Sequence, residues 1–290
     1  MDGVHHDIRL TAQKIAQRLE LIHSLEYRAR QSLGAFRLKA LRDASADPSL
    51  EADTGDWEII PANSYWGGSD LNFVMHGEFS VPIDWDSSLP VVLFLPLGET
   101  GDFSHPEALA YIDGQPFATT DRHHQEFTLA LEHRSPGSHK LVLHGWTGAF
   151  SQPGKRLMMN ECCVALIDPP TRDLIALTRV ALQAAHLLTD LEPAKTRIYN
   201  ALDAAYKLLE TREPLGGEMF YASIPAALET LRAGIAAAGS ALDAEIIAAG
   251  HAHIDVAWLW TLAQTRRKAG RTFHTMLRQL EQFQIGRAHV

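Results

Sequence analysis

The chain has 290 residues, of which 46% are hydrophobic and 21% charged, so it is long enough to bury one large core or two medium ones and is not a disordered polypeptide. Its formal net charge of -9 argues against nucleic acid or an anionic membrane as the main partner, since both select a clustered positive surface. A neutral ligand such as a carbohydrate places no demand on net charge. No run approaches the roughly 18 apolar residues of a membrane span, and Met1 to Arg9 is not followed by the apolar core of a secretory signal, so a cytoplasmic location is expected.

From Asp7 to Leu41 the spacing of Leu10, Ile15, Leu19, Ile22, Leu25 and Leu33 is helical and predicts one or two amphipathic helices. The polar stretch Asp43 to Thr54 predicts a linker. From Trp57 to Asp168 short β-rich runs alternate with turn residues, the pattern of an antiparallel sandwich. Phe73, Met75, Gly77 and Phe79 alternate with Asn72, His76, Glu78 and Ser80, which predicts one buried and one wet face. The uniformly apolar Val91 to Leu95 predicts a central strand, and Ala108 to Ile112 before Asp113-Gly114 predicts a tight hairpin. Further strands are expected over Glu126 to Leu131, His139 to His144 and Glu161 to Ile167. Cys162 and Cys163, the only cysteines, are adjacent in an expected strand and point to opposite faces, so they are expected to be reduced, buried and unjoined.

Residues 171–239 return to helical spacing. One face is built from Leu174, Leu177, Ala181, Ala184, Leu187 and Leu188; Pro193 suits the first turn of a second helix, and Ser223 is the expected N-cap of a third. These alanine-rich helices carry little chemistry and are expected to connect the sandwich to the C-terminal stretch of the chain.

The chemistry is concentrated in Glu245 to Trp260, EIIAAGHAHIDVAWLW. If Glu245 to Ala249 is a buried strand, His251, His253 and Asp255 leave its end on one side, because alternate residues of an extended chain point the same way. Imidazole plus carboxylate suits Zn²⁺, and also Mn²⁺ or Fe²⁺. Trp258 and Trp260 set indole rings, on which a sugar can stack, beside those groups.

The run Gly250, His251, Ala252, His253, Ile254, Asp255, then Trp258, Leu259 and Trp260, resembles the first catalytic-domain motif of glycoside hydrolase family 38, the class II α-mannosidases. The resemblance implies that His253 and Asp255 ligate a zinc ion, that Trp258 packs against the mannose, and that His251 is a neighbour of the site. It continues through Arg266, Arg267, Lys268, Arg271, Thr272 and Phe273 as the helix following the strand. There Phe273, Leu277 and Leu280 are expected to form the apolar face, with the basic residues on a solvated or substrate-distant surface. Tyr65 to Asp70, the Asp113-Gly114 hairpin and Asp121 to Glu126 also resemble the β-sandwich preceding the barrel in cytoplasmic and bacterial members. Trp66, His123 and His124 are thereby sugar-site candidates, although core packing for Trp66 and solvation for the histidines are the expected roles.

The fold class expected is therefore multidomain α+β: an N-terminal helical segment (1–48), an antiparallel β-sandwich (52–168), a helical connector (169–240), and the first strand and helix of a truncated α/β barrel (241–284). The hexapeptide IGRAHV (285–290) resembles a translated sequencing adapter and is expected to be a non-native tail. A retaining glycosidase needs two carboxylates, and the resemblance puts the nucleophile and the acid/base beyond the end of this chain. The chain is thus expected to be an inactive N-terminal piece of a zinc-dependent α-mannosidase acting on mannose-containing oligosaccharides, a possible homo-oligomer when whole. Two alternatives stand beside it. One is an amidohydrolase-type enzyme in which His251 and His253 both bind metal; the other is a carbohydrate-binding or assembly module formed by the sandwich.

Overall fold

The computed structural model describes residues 3–101, 105–135, 137–212, 214–239, 247 and 251–283, with side chains from residue 10 onward. They form an α+β protein of two compact units: residues 1–29, 88–90 and 166–246 make the first, and 30–87, 91–165 and 247–290 the second. The expected strand at 245–249 and the tail at 285–290 lie outside the described residues, Ile247 excepted.

The first unit is helical. Helix α1 (Gly3–Ile22) ends well before the sequence spacing predicts, because the chain then enters strands β1 (Tyr27–Ser32) and β2 (Phe36–Leu41). The helical expectation for residues 27–41 is corrected by a period of two: Phe36 and Leu38 are buried while their neighbours are more accessible, which a strand satisfies and a helix does not. Helices α2 (Pro169–Leu187), α3 (Pro193–Leu208) and α4 (Glu218–Ala238) complete the unit. Ile15, Leu19 and Ile22 of α1 share one core with Leu174, Leu202, Tyr206, Ile224 and Leu231. At Gly234 of α4 a Cβ would collide with Ala201, so glycine there lets α3 and α4 approach closely.

Helix α2 starts where it does because of Asp168. Its buried carboxylate accepts the Thr171 backbone N–H at 3.0 Å and the Thr171 hydroxyl at 2.6 Å, and Pro169 and Pro170 fill the first turn without wasting donors. Arg28 Nε donates to the same carboxylate at 2.6 Å, which neutralises it. The third helix of the connector begins at Glu218, five residues before the expected cap. Ser223 instead bonds the Phe220 carbonyl at 2.6 Å from inside the helix and accepts the Glu210 N–H at 3.1 Å.

The second unit carries the sheets. Strands β3 (Glu58–Ile60), β4 (Ser64–Trp66), β5 (Asn72–Phe79), β6 (Val91–Phe94), β7 (Glu107–Ile112), β8 (Gln115–Thr120), β9 (Glu126–Thr128), β10 (His139–Trp146), β11 (Leu157–Met159) and β12 (Cys163–Ile167) follow in order. The larger sheet runs β3-β2-β5-β10-β7-β8, the second β1-β12-β6-β9, and β11-β4 form a two-stranded pair. Strand β10 pairs antiparallel with β5 (Leu143 opposite Met75) and with β7 (Leu143 opposite Ala110). Val91 to Phe94 is an interior strand, as its uniform apolarity predicts. Asp113 (φ 50°) and Gly114 (φ 80°) both adopt positive φ between β7 and β8, the geometry that the Asp-Gly pair predicts.

Strand β5 departs from simple alternation. His76, expected on a wet face, is buried against the edge of Trp57, with ring centroids 4.8 Å apart. The cause is a second small core on that face, where Trp57, Val74 and Val142 gather with Leu41, Leu50, Ala52 and Tyr111. Both sides of the central strands are therefore covered, and burial draws the His76 pKa below its ordinary value.

Helix α5 (Leu262–Gln282) closes the described chain, capped by Thr261 Oγ1, which accepts the Gln264 N–H at 3.2 Å. Its polarity reverses the expectation. Gln264 and Arg271 are buried, whereas Phe273, Leu277 and Leu280 face outward. The helix docks on the second unit through polar groups. Gln264 Nε2 donates to Asn72 Oδ1 at 2.6 Å, Arg267 Nε to the Ala44 carbonyl at 2.7 Å, and Gln282 Nε2 to Thr128 Oγ1 at 2.8 Å. Lys268 and Arg271 converge on Glu107, Arg271 Nε at 3.1 Å. Of the basic residues expected on a solvated surface, Arg266 is exposed, whereas Lys268 and Arg271 form an ion cluster with Glu107.

Candidate functional site

Residues 251–261 run without helix or strand into α5. Within them His253 Nε2 lies 2.8 Å from Asp255 Oδ1, so the two residues expected to share a metal are already side by side. Both are open to solvent, with side chains 71% and 43% exposed, so no packed residues wall them off. His251 stacks beside His253 with ring centroids 6.0 Å apart, and the carboxylate of Asp255 pairs with His253. Among the described residues this pair does not belong to any group of three or more metal-capable side chains.

The backbone makes this juxtaposition through a turn. Ala257 takes φ 54°, its N–H donates to Thr265 Oγ1 at 3.1 Å, and Trp260 Nε1 donates to the Asp255 carbonyl at 3.2 Å. Trp260 is further fixed by the Lys268 ammonium 4.1 Å over its ring, an attraction to the negative π-face. Trp258 meets Trp260 edge-on at 5.7 Å and remains half exposed.

The other sugar-site candidates resolve differently. Trp66 is completely buried, its indole N–H donates to the Leu97 carbonyl at 2.9 Å, and Phe73 meets it edge-on at 5.1 Å. A ring so enclosed presents no face to a ligand. His124 is held between Asp121, whose oxygens lie 3.0 and 3.1 Å from Nδ1, and Gln279 Nε2 at 3.1 Å from its Nε2. It fastens the turn before β9 to α5. His123 sits in the same turn, its N–H donating to Asp121 Oδ1 at 2.7 Å, with Arg122 Nε 2.9 Å from its ring.

The Asp121–His124 pair gives a pH prediction. Burial acts to raise the Asp121 pKa, but the His124 contact and the backbone N–H of His123 overcome it and bring it down to about 2. The hydrogen bond to Asp121 raises the pKa of His124, against its burial. A histidine whose pKa is raised on folding adds stability below its unfolded value, about 6.5, and loses it as pH climbs through the folded value. The stability advantage of the parent over Asp121→Asn should therefore be largest near pH 6 and fall as pH rises toward 8, measured by denaturant titration. A difference that stays flat would contradict the charge pairing.

Residues 243–285 match the family model for the glycosyl hydrolases family 38 N-terminal domain. Over that stretch the chain is similar to the family 38 N-terminal domain. Over 230 residues it is 27% identical to alpha-mannosidase 2C1 of Homo sapiens, and over 227 residues 26% identical to alpha-mannosidase 2C1 of Mus musculus. Each match covers 71% of this chain and 21% of the relative, so the chain spans about a fifth of the length of the curated relatives it matches. Among solved structures, an uncultured Clostridium sp. beta-glucuronidase aligns with TM-score 0.35 at 14% identity, covering 48% of this chain and 29% of that one. The His253–Asp255 pair, Trp258 and the whole of α5 fall inside the matched segment.

Proposed function

We propose that this chain is the N-terminal part of a metal-dependent α-mannosidase of family 38, acting with retention on terminal α-linked mannose of oligosaccharides. The observation that carries the reading is the contact of His253 with Asp255 at 2.8 Å, with a half-exposed Trp258 following in sequence, inside the segment matched by the family model. Borderline imidazole nitrogen and hard carboxylate oxygen form a donor set that suits zinc, and their solvent exposure leaves room for sugar hydroxyls and further ligands. A divalent ion held there would supply electrostatic grip on the mannose hydroxyls. His253 and Asp255 provide two of its anchors, and Trp258 orients the ring by stacking. The nucleophile and the acid/base are assigned to the part of such an enzyme that this chain does not cover, its match spanning 21% of each curated relative.

Two features support residues 241–284 as the opening of a barrel. Helix α5 turns Phe273, Leu277 and Leu280 toward solvent, an apolar row that further secondary structure would cover. The motif immediately precedes that helix, as a strand-end site does in an α/β barrel. Unpaired, buried Cys162 and Cys163 support a reducing compartment such as the cytoplasm. Among the described residues no helix is long and apolar enough to cross a membrane.

The test is a pair of substitutions in the full-length enzyme carrying this chain. His253→Ala should lose bound metal and at least about 100-fold of mannosidase activity, exceeding the 10–100-fold typical of residues that only support a ligand. His251→Ala should retain most of the metal. Because both side chains are exposed, neither change disturbs folding. Equal metal loss in the two variants would instead favour the hydrolase in which both histidines ligate.

A further inference from the structure

Far from the His253 motif in sequence, three metal-capable side chains converge within the second unit. Asp113 sits in the β7–β8 turn, His133 in the short 3-10 helix Leu131–Arg134, and His139 opens β10. One ligand atom from each lies within 4.8 Å of the others. Asp113 Oδ2 is 2.7 Å from His139 Nδ1, while Asp113 Oδ1 accepts the Lys140 N–H at 2.9 Å and so fixes the carboxylate.

Two further observations point to a ligand. His139 has a side chain only 11% exposed, yet its Nε2 has no hydrogen-bond partner, a costly state for a buried polar atom. The rings are also prearranged: His139 stacks on Phe79 at 5.2 Å, and His133 stands edge-on to both His139 (5.6 Å) and Phe117 (5.3 Å). Ring contacts of this kind fix the two imidazoles in position.

We propose that Asp113, His133 and His139 form a second divalent-metal site, which takes zinc or a similar ion and clips the β7–β8 hairpin to the segment entering β10. Tetrahedral zinc with bonds of about 2.0–2.2 Å places its ligand atoms roughly 3.4 Å apart, so side-chain shifts of about an ångström close a set whose atoms lie within 4.8 Å of one another. The Asp113 side chain, 46% exposed, leaves an entry path and room for a water as fourth ligand. The role is structural: the three residues come from a turn, a short helix and a strand end, and the ion would join them. This inference does not depend on the mannosidase reading, because no residue is shared with the motif.

The experiment uses the chain bearing His253→Ala, so that the motif contributes no binding, stripped with chelator and titrated with Co²⁺ and then Zn²⁺. One equivalent of Co²⁺ should give the visible absorption of a tetrahedral site, and Zn²⁺ should displace it and raise the Tm. His133→Gln and Asp113→Asn should each weaken binding by at least about 100-fold, beyond the loss expected for a merely supporting partner. Asn at 113 tolerates the positive φ of the turn, so its fold is preserved. No tetrahedral absorption, or absorption unchanged by both substitutions, overturns the proposal.

Discussion

Glu107→Ala is expected to destabilise the second unit by about 3–5 kcal/mol, because it leaves the buried Arg271 and the partly buried Lys268 without their counter-charge. Lys268 and Arg271 both bond Glu107, and their side chains are 18% and 5% exposed, so water cannot replace the lost carboxylate cheaply. Burial already draws the Arg271 pKa below its ordinary value, with Glu107 acting against that shift. Helix α5 should loosen first, since these contacts anchor its middle; amide exchange along 262–282 and a denaturant midpoint would show it. Replacing Glu107, Lys268 and Arg271 together with methionine should cost far less than the single change, because the penalty comes from uncompensated charge. A single-variant loss under about 1 kcal/mol would mean that the cluster is hydrated and that α5 is held by other contacts.

Trp66→Ala should cost a similar amount, about 3–5 kcal/mol, the usual range for deleting a buried aromatic side chain. The indole fills space against Phe73 and satisfies the Leu97 carbonyl, so alanine creates both a void and an orphaned acceptor. Trp66→Phe should recover much of the packing but leave Leu97 unpaired. Thermal denaturation of the three proteins separates the two contributions. The same set decides the role of the sandwich: if Trp66→Phe were stable as the parent yet lost affinity for mannosides, the buried packing role would be wrong.

Much of the architecture is legible in the chain because local rules and tertiary demands agree. Asp113-Gly114 specifies its own turn, Val91 to Phe94 is apolar enough to require an interior position, and Asp168 followed by two prolines starts α2 with cap chemistry visible in the letters. Residues 27–41 mislead because Leu25 and Leu33 happen to continue the spacing of α1, while the decisive period-two burial of Phe36 and Leu38 depends on the neighbouring strands β3 and β5. Helix α5 misleads for a deeper reason. Amphipathic reasoning assumes that the apolar stripe faces the partner, and here a glutamate from β7 makes the charged stripe the buried one.

At the candidate site the pairing of His253 with Asp255 is legible from their spacing. Glu107 and the Asp113, His133 and His139 trio are not, since separate segments must meet in space before they acquire chemical meaning.

The burial of the two cysteines has a practical consequence for studying this protein. Burial lifts the Cys162 thiol to a pKa of about 12, and Cys163 is raised as well. At neutral pH the reactive thiolate at Cys162 is then scarce. Native sulfur is effectively silent toward maleimides and iodoacetamides, so a probe placed through a cysteine engineered at the outward-facing position 273 would label that position selectively, with both natural thiols left in place.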